Sequence, residues 1–225
     1  MAKPKVIIHN SISLDGSFQD IEVDMGIHYG TAVSFGEDIH LVGANTAKTG
    51  IEMFGGVPSE EDADLRKTER ESTIPIWAII DSKGILKGSL HVFRRFDMCR
   101  DVIVLVSGST PEEYLEYLKE RDYDFIVTGK EHVDLKEALE LLSKKYKAGK
   151  VLVDSGSSLN GALLEEDLVD EISLIVMPLL TGKGTDTLFA NIRKTKPIEL
   201  ELLKCEELEK DHVWLVYKIN RSSDK

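Results

Sequence analysis

Cysteine and long apolar runs are scarce in this sequence of 225 residues, and its basic residues are outnumbered by acidic ones. The two cysteines, Cys99 and Cys205, are too few and too far apart for a disulfide framework or a Cys-x-x-Cys motif. Two free thiols are typical of a reducing compartment, so we expect a cytoplasmic protein. No run approaches about 18 apolar residues, and the polar start at Met1 to Lys5 is not a secretion signal. These absences predict a chain that does not associate with membranes.

The charge balance excludes further partners. Lysine and arginine number 28 against 40 aspartates and glutamates, which gives a formal net charge of −12. A chain of this charge repels phosphate backbones and anionic lipid surfaces over long range. We therefore expect neither nucleic acid nor membrane as a partner.

Several chemical motifs are missing as well. The six histidines lack His-x-x-x-His spacing, and we expect no metal site. No Gly-x-Ser-x-Gly elbow points to a serine hydrolase. The segment Gly156 to Gly161 has the glycine spacing of a Walker loop, but Ala162 and Leu163 follow where that loop needs Lys and Ser or Thr. No Gly-x-Gly-x-x-Gly follows the first strand, which argues against a doubly wound dinucleotide fold.

Apolar runs alternate with helical patterns along the chain. Capping boxes at Thr110 to Glu113 and Asp134 to Glu137 predict two helices, with Gly149 as a stop for the second, and residues 159–168 predict a third. The predicted strands are 6–8, 38–43, 76–80, 102–106, 125–127, 151–153, 172–177 and 212–219. This alternation predicts a single α/β domain over residues 1–225. We expect a three-layer architecture with a mostly parallel sheet, an antiparallel C-terminal strand and a charged, solvated excursion at about 55–73.

Small polar residues follow several of these strands. Ser157 and Ser158 lie after the strand ending at Val153, where a helix N-terminus would make an anion site. Thr46 and the Asp81 to Gly84 turn occupy similar positions. Helix caps and tight turns explain each of these segments equally well. The segment from Asn10 to Gly16 follows the first strand and ends in an Asp-Gly turn signal.

Four segments follow one another in a familiar order: Ser11 to Gly16, Gly43 to Thr46, Val151 to Gly156 and Leu164 to Gly182. Together they resemble the pyrimidine reductase family of riboflavin biosynthesis, which has a dihydrofolate-reductase-like fold. Ser11 to Gly16 matches the family's Ser-x-Ser-x-Asp-Gly, and Gly43 to Thr46 matches its Gly-x-x-Thr. Val151 to Gly156 matches Val-x-x-Glu-Gly-Gly. Leu164 to Gly182 matches a Leu-Val-Asp-Glu segment followed by a Pro-x-x-x-Gly strand end.

This resemblance implies a homodimeric, NADPH-dependent reductase that acts on a small phosphorylated substrate. The family reduces a ribosylamino-pyrimidine 5′-phosphate by hydride delivery to the sugar C1′. The implied cofactor contacts are Thr46, Ser82, Lys83, Gly84, Thr128, Gly129, Ser155, Gly156, Ser157 and Ser158. The proton that reduction also needs would come from water or from Asp154 or Asp15, our candidate catalytic residues.

Two departures from the family pattern concern the phosphate-binding loop of the cofactor and the substrate. Asp154, Ser155 and Gly156 replace Glu-Gly-Gly, and residues 47–52 lack the acidic residue and proline that usually follow Gly-x-x-Thr. A segment at 20–28 lies where a substrate loop would be. The predicted substrate-binding residues are Asn10, Ser13, Asp24 and His28. Two alternatives stay open: a reductase of the same fold for another carbonyl, imine or pterin-like substrate, and a non-catalytic nucleotide-binding protein.

Overall fold

The structure, a computed structural model, describes residues 3–53, 55–182, 187–190, 192–193 and 197–220. Strands and helices alternate over most of this length. The strands are β1 Lys5–Ser13, β2 Ile39–Gly43, β3 Ile76–Ile80, β4 Val102–Val106, β5 Asp124–Val127, β6 Lys150–Val153, β7 Glu171–Met177, β8 Leu200–Glu207 and β9 Val213–Ile219. The α-helices are α1 Met25–Val33, α2 Ala44–Met53, α3 His91–Arg95, α4 Glu112–Glu120, α5 Leu135–Tyr146 and α6 Ser157–Glu165.

The chain divides into two compact units. Unit 1 consists of Met1–Pro4 and Glu37–Val151, and unit 2 consists of Lys5–Gly36 and Leu152–Lys225. That the two units form one domain over residues 1–225 stays a prediction.

A parallel sheet in the order β5-β4-β3-β2 runs through unit 1. Every residue of β4 is buried, and β3 is buried from Ile76 to Ile79. Strands covered on both faces are continuous apolar runs in the sequence, which is why these four could be located from the sequence. The predicted α/β class with a mostly parallel sheet is confirmed.

In unit 2 the strand order is β1-β7-β9-β8. β1 and β7 are parallel, whereas β9 is antiparallel to both β7 and β8. The predicted antiparallel C-terminal strand is therefore confirmed as β9, but it has an antiparallel neighbour that the sequence did not reveal. Most residues of β8 are exposed, so its sequence shows no alternation of apolar and polar residues.

The first strand is longer than expected. β1 pairs with β7 as far as Ser13 opposite Met177, so Asn10, Ser11 and Ser13 belong to the strand and not to a loop after it. All three polar side chains are buried, and each has a hydrogen-bond partner. Those bonds offset the cost of burying polar groups, so the strand continues past its apolar start.

From Met25 onward, the segment at 20–28 that was expected to be a substrate loop is helical. Asp24 caps α1 by accepting hydrogen bonds from the amides of Gly26 and Ile27, at 3.0 and 3.2 Å. The buried face of α1 contains His28, Thr31 and Ala32. Two of these three residues are polar, so the apolar periodicity that marks a helix in a sequence is weak here.

Helix ends follow the predicted caps only in part. Asp134 caps α5 as predicted, accepting from the Glu137 amide at 2.9 Å. Thr110 does not cap α4, because its hydroxyl accepts from the Ser107 amide and Pro111 is the N-cap instead. α5 ends at a left-handed Lys147, before the expected stop at Gly149.

The third predicted helix begins earlier and contains a glycine for a packing reason. α6 starts at Ser157, two residues before the predicted start, and ends at Glu165. A Cβ on Gly161 would lie 1.7 Å from the Ala190 carbonyl oxygen, so Gly161 lets that backbone approach the helix.

The charged excursion at 55–73 is tied to unit 1 and is not merely solvated. Arg95 forms two hydrogen bonds to the buried carboxylate of Asp64, at 3.0 and 2.5 Å. Arg121 binds both carboxylate oxygens of Glu60. The Arg70 guanidinium donates to the main-chain carbonyls of Arg94, Phe96 and Cys99. The sequence predicted the lack of strands here but not these long-range ion pairs.

Candidate active site

The predicted cofactor residues of unit 1 share one edge of its sheet. Thr46 lies in the first turn of α2 after β2, Ser82 to Gly84 follow β3, and Thr128 and Gly129 follow β5. Because these strands are parallel, their carboxyl ends meet at the same edge, where ligands bind in open α/β sheets. The structure therefore brings these residues to one edge, and their contact with a cofactor stays a prediction.

The turn after β3 is built around a buried aspartate. Asp81 is 2 % exposed, and its carboxylate accepts from the amides of Ile85 and Leu86 and from the hydroxyl of Tyr114, at 3.0, 3.0 and 2.9 Å. Gly84 lies against the Tyr114 ring with a φ of +69°. Burial and the neighbouring Asp81 carboxylate raise the pKa of the Tyr114 hydroxyl, which stays protonated as a donor.

The turn after β5 is equally constrained. Gly129 has a φ of +67°, and a Cβ there would lie 2.1 Å from the His132 carbonyl oxygen. The Thr128 hydroxyl is buried and donates to the Asp134 carbonyl at 3.2 Å. The Thr128 side chain is thus bound to the protein itself, and Gly129 is needed for the close backbone approach. The backbone of this turn is the part that can face a ligand.

In unit 2 the central feature is a chain of hydrogen bonds that ends on Asp154, directly after β6. One oxygen of Asp154 lies 3.2 Å from Nε2 of His28, and Nδ1 of His28 lies 3.0 Å from the Ser11 hydroxyl. The His28 side chain is 6 % exposed and that of Asp154 is 18 % exposed. Asp154 is therefore the member of this chain that a ligand can reach.

A second histidine holds the helix that carries His28. Nε2 of His9 lies 3.1 Å from the His28 carbonyl oxygen, and Nδ1 of His9 lies 2.9 Å from the Ser173 hydroxyl. Trp214 donates its indole N–H to the same hydroxyl at 2.8 Å. Since a carbonyl only accepts, the proton of a neutral His9 ring must be on Nε2, and Ser173 donates to Nδ1. His9 was not predicted as a site residue, because an isolated histidine in an apolar strand shows no recognisable pattern.

Tyr29, the neighbour of His28 on α1, also faces Asp154. Burial and the negative charge of Asp154 raise the pKa of Tyr29, so its phenol is neutral. Its ring meets the His28 ring edge-on, with centroids 5.2 Å apart. The sequence offered no signal for Tyr29 or for a role of Ser11 beyond the family motif.

The loop after Asp154 is fixed by two buried amides. Asn10 and Asn160 both donate to the Ser155 carbonyl oxygen, at 2.9 and 3.0 Å, and Asn160 also donates to Asn10 Oδ1. Both side chains are buried. Asn10, predicted to bind substrate, is thus committed in this structure to shaping the 154–156 loop.

Ser13 and Asp15 form a separate clamp. Ser13 donates to Asp15 at 2.5 Å, and the Asp15 carboxylate also accepts from the amides of Thr181 and Gly182. The Ser13 bond, followed by those amides, lowers the pKa of Asp15 to about 2, although partial desolvation opposes the shift. A carboxylate held in this ionised form is a poor proton donor, so the contacts favour Asp154 over Asp15 as the candidate acid.

Asp24 also serves the protein's own structure. Besides capping α1, it forms an ion pair with Lys210, which lowers the pKa of Asp24. These residues line a shallow pocket of about 340 Å³, together with Ile27, Thr31 and Leu208. Contact of Asp24 with a substrate stays a prediction.

The start of α6 offers main-chain donors after the same loop. Its N-cap is Gly156, which has no side chain to satisfy the amides of the first turn. Ser157 and Ser158 form that turn, and Ser158 is exposed. This arrangement fits the anion site that the sequence predicts.

Two features are absent from the described residues. Among residues 3–220, excepting those outside the described ranges, no three His, Cys, Asp or Glu side chains are grouped to hold a metal ion. No helix in the same part of the chain is long and apolar enough to cross a membrane.

The fold and the polar strand ends define an α/β protein of the dihydrofolate-reductase-like class. A dihydrofolate reductase from Enterococcus faecalis has a TM-score of 0.50 at 11 % identity, covering 96 % of this chain and 97 % of that one. A pyrimidine reductase-like protein from Corynebacterium diphtheriae has a TM-score of 0.74 at 18 % identity, covering 97 % and 93 %. These two likenesses concern the fold.

Sequence comparison assigns the family. The model of the RibD C-terminal domain matches residues 4–214, and the chain belongs to this family. The 2,5-diamino-6-ribosylamino-4(3H)-pyrimidinone 5′-phosphate reductase of Archaeoglobus fulgidus is 26 % identical over 196 residues, which is 82 % of this chain and 84 % of that protein. The resemblance seen in the sequence motifs is confirmed.

Proposed function

We propose that this chain is an NADPH-dependent reductase that converts a ribosylamino-pyrimidine 5′-phosphate to its ribitylamino form. The observation that supports this most is the family match over nearly the whole chain, together with a relative of that activity. The proposal places the enzyme in riboflavin biosynthesis. It acts as a homodimer in the cytoplasm, as the resemblance implies.

The start of α6 fits one part of a dinucleotide. A pyrophosphate needs main-chain N–H groups and the positive end of a helix dipole, and the glycine N-cap leaves that approach open. Bound NADPH would supply the hydride, as nicotinamide cofactors do. In unit 1, Lys83 is exposed in the turn after β3 and is our candidate for the charge of a 2′-phosphate.

Asp154 is the residue to which we assign the proton. Reduction at the sugar C1′ adds a hydride and requires one proton from a group within hydrogen-bond reach of the substrate. Asp154 is partly exposed, follows a strand end and has a histidine behind it. Asp15 is exposed as well but less suited to this role, because Ser13 and the amides of Thr181 and Gly182 all donate to its carboxylate.

One observation favours a second candidate, a reductase of the same fold for another carbonyl, imine or pterin-like substrate. Asn10, Asp24 and His28, three of the four predicted substrate contacts, are engaged with the protein itself. Residues 47–52, which lack the family's acidic residue and proline, lie in α2. These contacts favour a substrate that other groups recognise, while contact of Asn10, Asp24 and His28 with a substrate stays a prediction.

The test is a pair of titrations followed by turnover. Dialysed protein is titrated with NADPH and with NADH while the fluorescence of each cofactor is followed. Tighter binding of NADPH, and its oxidation with the pyrimidine phosphate at ordinary enzymatic rates, would support the proposal. NADPH oxidation only with other substrates would favour the second candidate. No binding of either cofactor would contradict both.

A further inference from the structure

We propose that Ser11, His28 and Asp154 form a proton relay. In this relay His28 is a positioning residue that delivers a proton to Asp154, and not a substrate ligand. The inference deepens the proposed function and rests on it for the identity of the reaction. The observation behind it is that both ring nitrogens of a buried histidine are engaged, one of them by the partly exposed acid.

The His28 ring has little freedom to serve a ligand. Its side chain is 6 % exposed, and turning it toward solvent would break the bonds to Ser11 and Asp154 together. Leaving two buried polar groups without partners costs more than one exposed hydrogen bond returns. The ring therefore stays between the two residues while Asp154 faces outward.

The backbone that carries His28 is held from three sides. The His28 carbonyl accepts from the His9 ring and from the Thr31 hydroxyl, at 3.1 and 2.9 Å. The His28 amide donates to the Asp24 carbonyl at 2.9 Å within the capped first turn of α1. This support fixes the direction of the imidazole, which is what a positioning residue requires.

The chemistry of the three groups allows one proton to be stored. With Asp154 ionised, neutral His28 donates from Nε2, and its Nδ1 accepts from the Ser11 hydroxyl. When the relay takes up a proton from water, Nδ1 becomes a donor and Ser11 rotates to accept. Transfer from Nε2 then protonates Asp154, which passes the proton to the substrate and leaves the ring as its Nδ1–H tautomer. Uptake of a second proton from water at Nε2 through Asp154, with release of the Nδ1 proton to water through Ser11, returns the relay to its first state. A serine is suited to this position because its hydroxyl can either donate or accept.

The titratable groups that face the ring do not compete for this proton. His9, 4.6 Å away between ring centroids, is held by a carbonyl acceptor on Nε2 and by Ser173 on Nδ1. Tyr29 meets the ring edge-on as a neutral phenol. Asp24 lies at the start of α1 and is paired with Lys210. Asp154 is thus the facing group that can exchange a proton with the ring.

One experiment tests the relay without any substrate. Proton NMR of the dialysed protein would follow the ring N–H signals of His28 and His9 in wild type and in Asp154→Ala. We expect a slowly exchanging Nε2–H signal of His28 in wild type, with exchange at least about tenfold faster in the variant. The His9 signal is the internal control and should be unchanged in both. If the exchange rate of the His28 Nε2–H were the same in wild type and in Asp154→Ala, the relay would be overturned.

A second experiment measures the kinetic role. His28→Gln keeps a side-chain N–H for Asp154 but cannot store a proton. We expect kcat to fall about 10- to 100-fold with KM nearly unchanged and a flatter pH profile. The matched control is the substitution His91→Gln in unit 1. His91 is also buried, and its Nε2 lies 2.9 Å from the Pro58 carbonyl oxygen. We expect the activity of this variant to stay within about twofold of wild type.

The outcomes separate the relay from the proposed function. A raised KM with unchanged kcat in His28→Gln would make His28 a substrate ligand and overturn the relay. Suppose that wild type fails to reduce the pyrimidine phosphate while exchange of the His28 Nε2–H still depends on Asp154. That result would contradict the proposed function and support the relay. A changed pH profile in Ser11→Ala as well as in His28→Gln would support the relay over a purely structural role.

Discussion

Asp81 and Asp154 occupy matching positions in the sequence yet differ in what they can do. Each is followed by a serine and directly succeeds a buried strand, β3 in one case and β6 in the other. Asp81 is 2 % exposed, and two amides and a tyrosine hydroxyl surround its carboxylate. The side chain of Asp154 is 18 % exposed, and one of its oxygens lies 3.2 Å from Nε2 of His28.

The difference shows that position after a strand does not decide function. A carboxylate that accepts only from fixed donors stabilises its loop. A carboxylate next to an imidazole can gain and lose a proton, because the imidazole can donate or accept at the shared hydrogen bond. Substitutions at the two aspartates should therefore separate stability from activity.

The largest expected effect is on catalysis at Asp154. Asp154→Asn keeps the shape of the side chain but removes the exchangeable proton, so kcat/KM with the pyrimidine phosphate should fall about 10²- to 10⁴-fold. Steady-state kinetics measures this loss, and the thermal unfolding midpoint should stay close to that of wild type. Activity within tenfold of wild type would show that water or another group supplies the proton.

The opposite behaviour is expected at Asp81. Asp81→Ala leaves two amides and the Tyr114 hydroxyl without their acceptor in a buried site, which should cost about 2–4 kcal/mol of unfolding free energy. Urea unfolding monitored by circular dichroism gives this number. Tyr114→Phe, which removes a single donor, should cost about 1 kcal/mol. An Asp81→Ala protein as stable as wild type would mean that water enters and replaces the carboxylate.

The residues alone could predict the buried strands, but Asp154 was distinguished from Asp81 only through the family resemblance. β3 and β4 are continuous apolar runs, and burial on both faces requires that pattern. The partner of Asp154, His28, lies 126 positions away, and spacing along the chain contains no information about such a contact. α1 and β8 were missed because one buries polar side chains and the other exposes most of its residues.

Gly84, in the loop after β3, and Gly156, in the loop after β6, should also differ in how much stability an alanine substitution costs, but the effects should be smaller. Gly84 has a φ of +69°, and a Cβ there would lie 2.8 Å from the Tyr114 ring, so Gly84→Ala should cost about 1–3 kcal/mol. Gly156 has a φ of −81°, which any residue adopts, so Gly156→Ala should change stability by less than about 0.5 kcal/mol.

The measurements are unfolding free energy and the Kd for NADPH on both variants. If the backbone at Gly156 approaches the pyrophosphate, Gly156→Ala should raise the Kd while leaving stability intact. Equal stability losses in the two variants would indicate that the loop after β6 is as tightly packed as the loop after β3.

The smallest expected effect concerns Asp15, a carboxylate that resembles Asp81 in its many donors but is exposed. Ser13 and the main-chain amides of Thr181 and Gly182 lower its pKa from 3.8 to about 2. Because the folded state favours the ionised form, this contribution to stability is complete above about pH 4 and is lost as the pH falls through about 2. The thermal midpoint of Asp15→Asn should therefore lie slightly below that of wild type at neutral pH, and the gap should close between about pH 4 and pH 2. A gap that stays constant over that range would mean that the hydrogen bonds to Asp15 do not depend on its charge, and Asp15 would then rejoin Asp154 as a candidate proton donor.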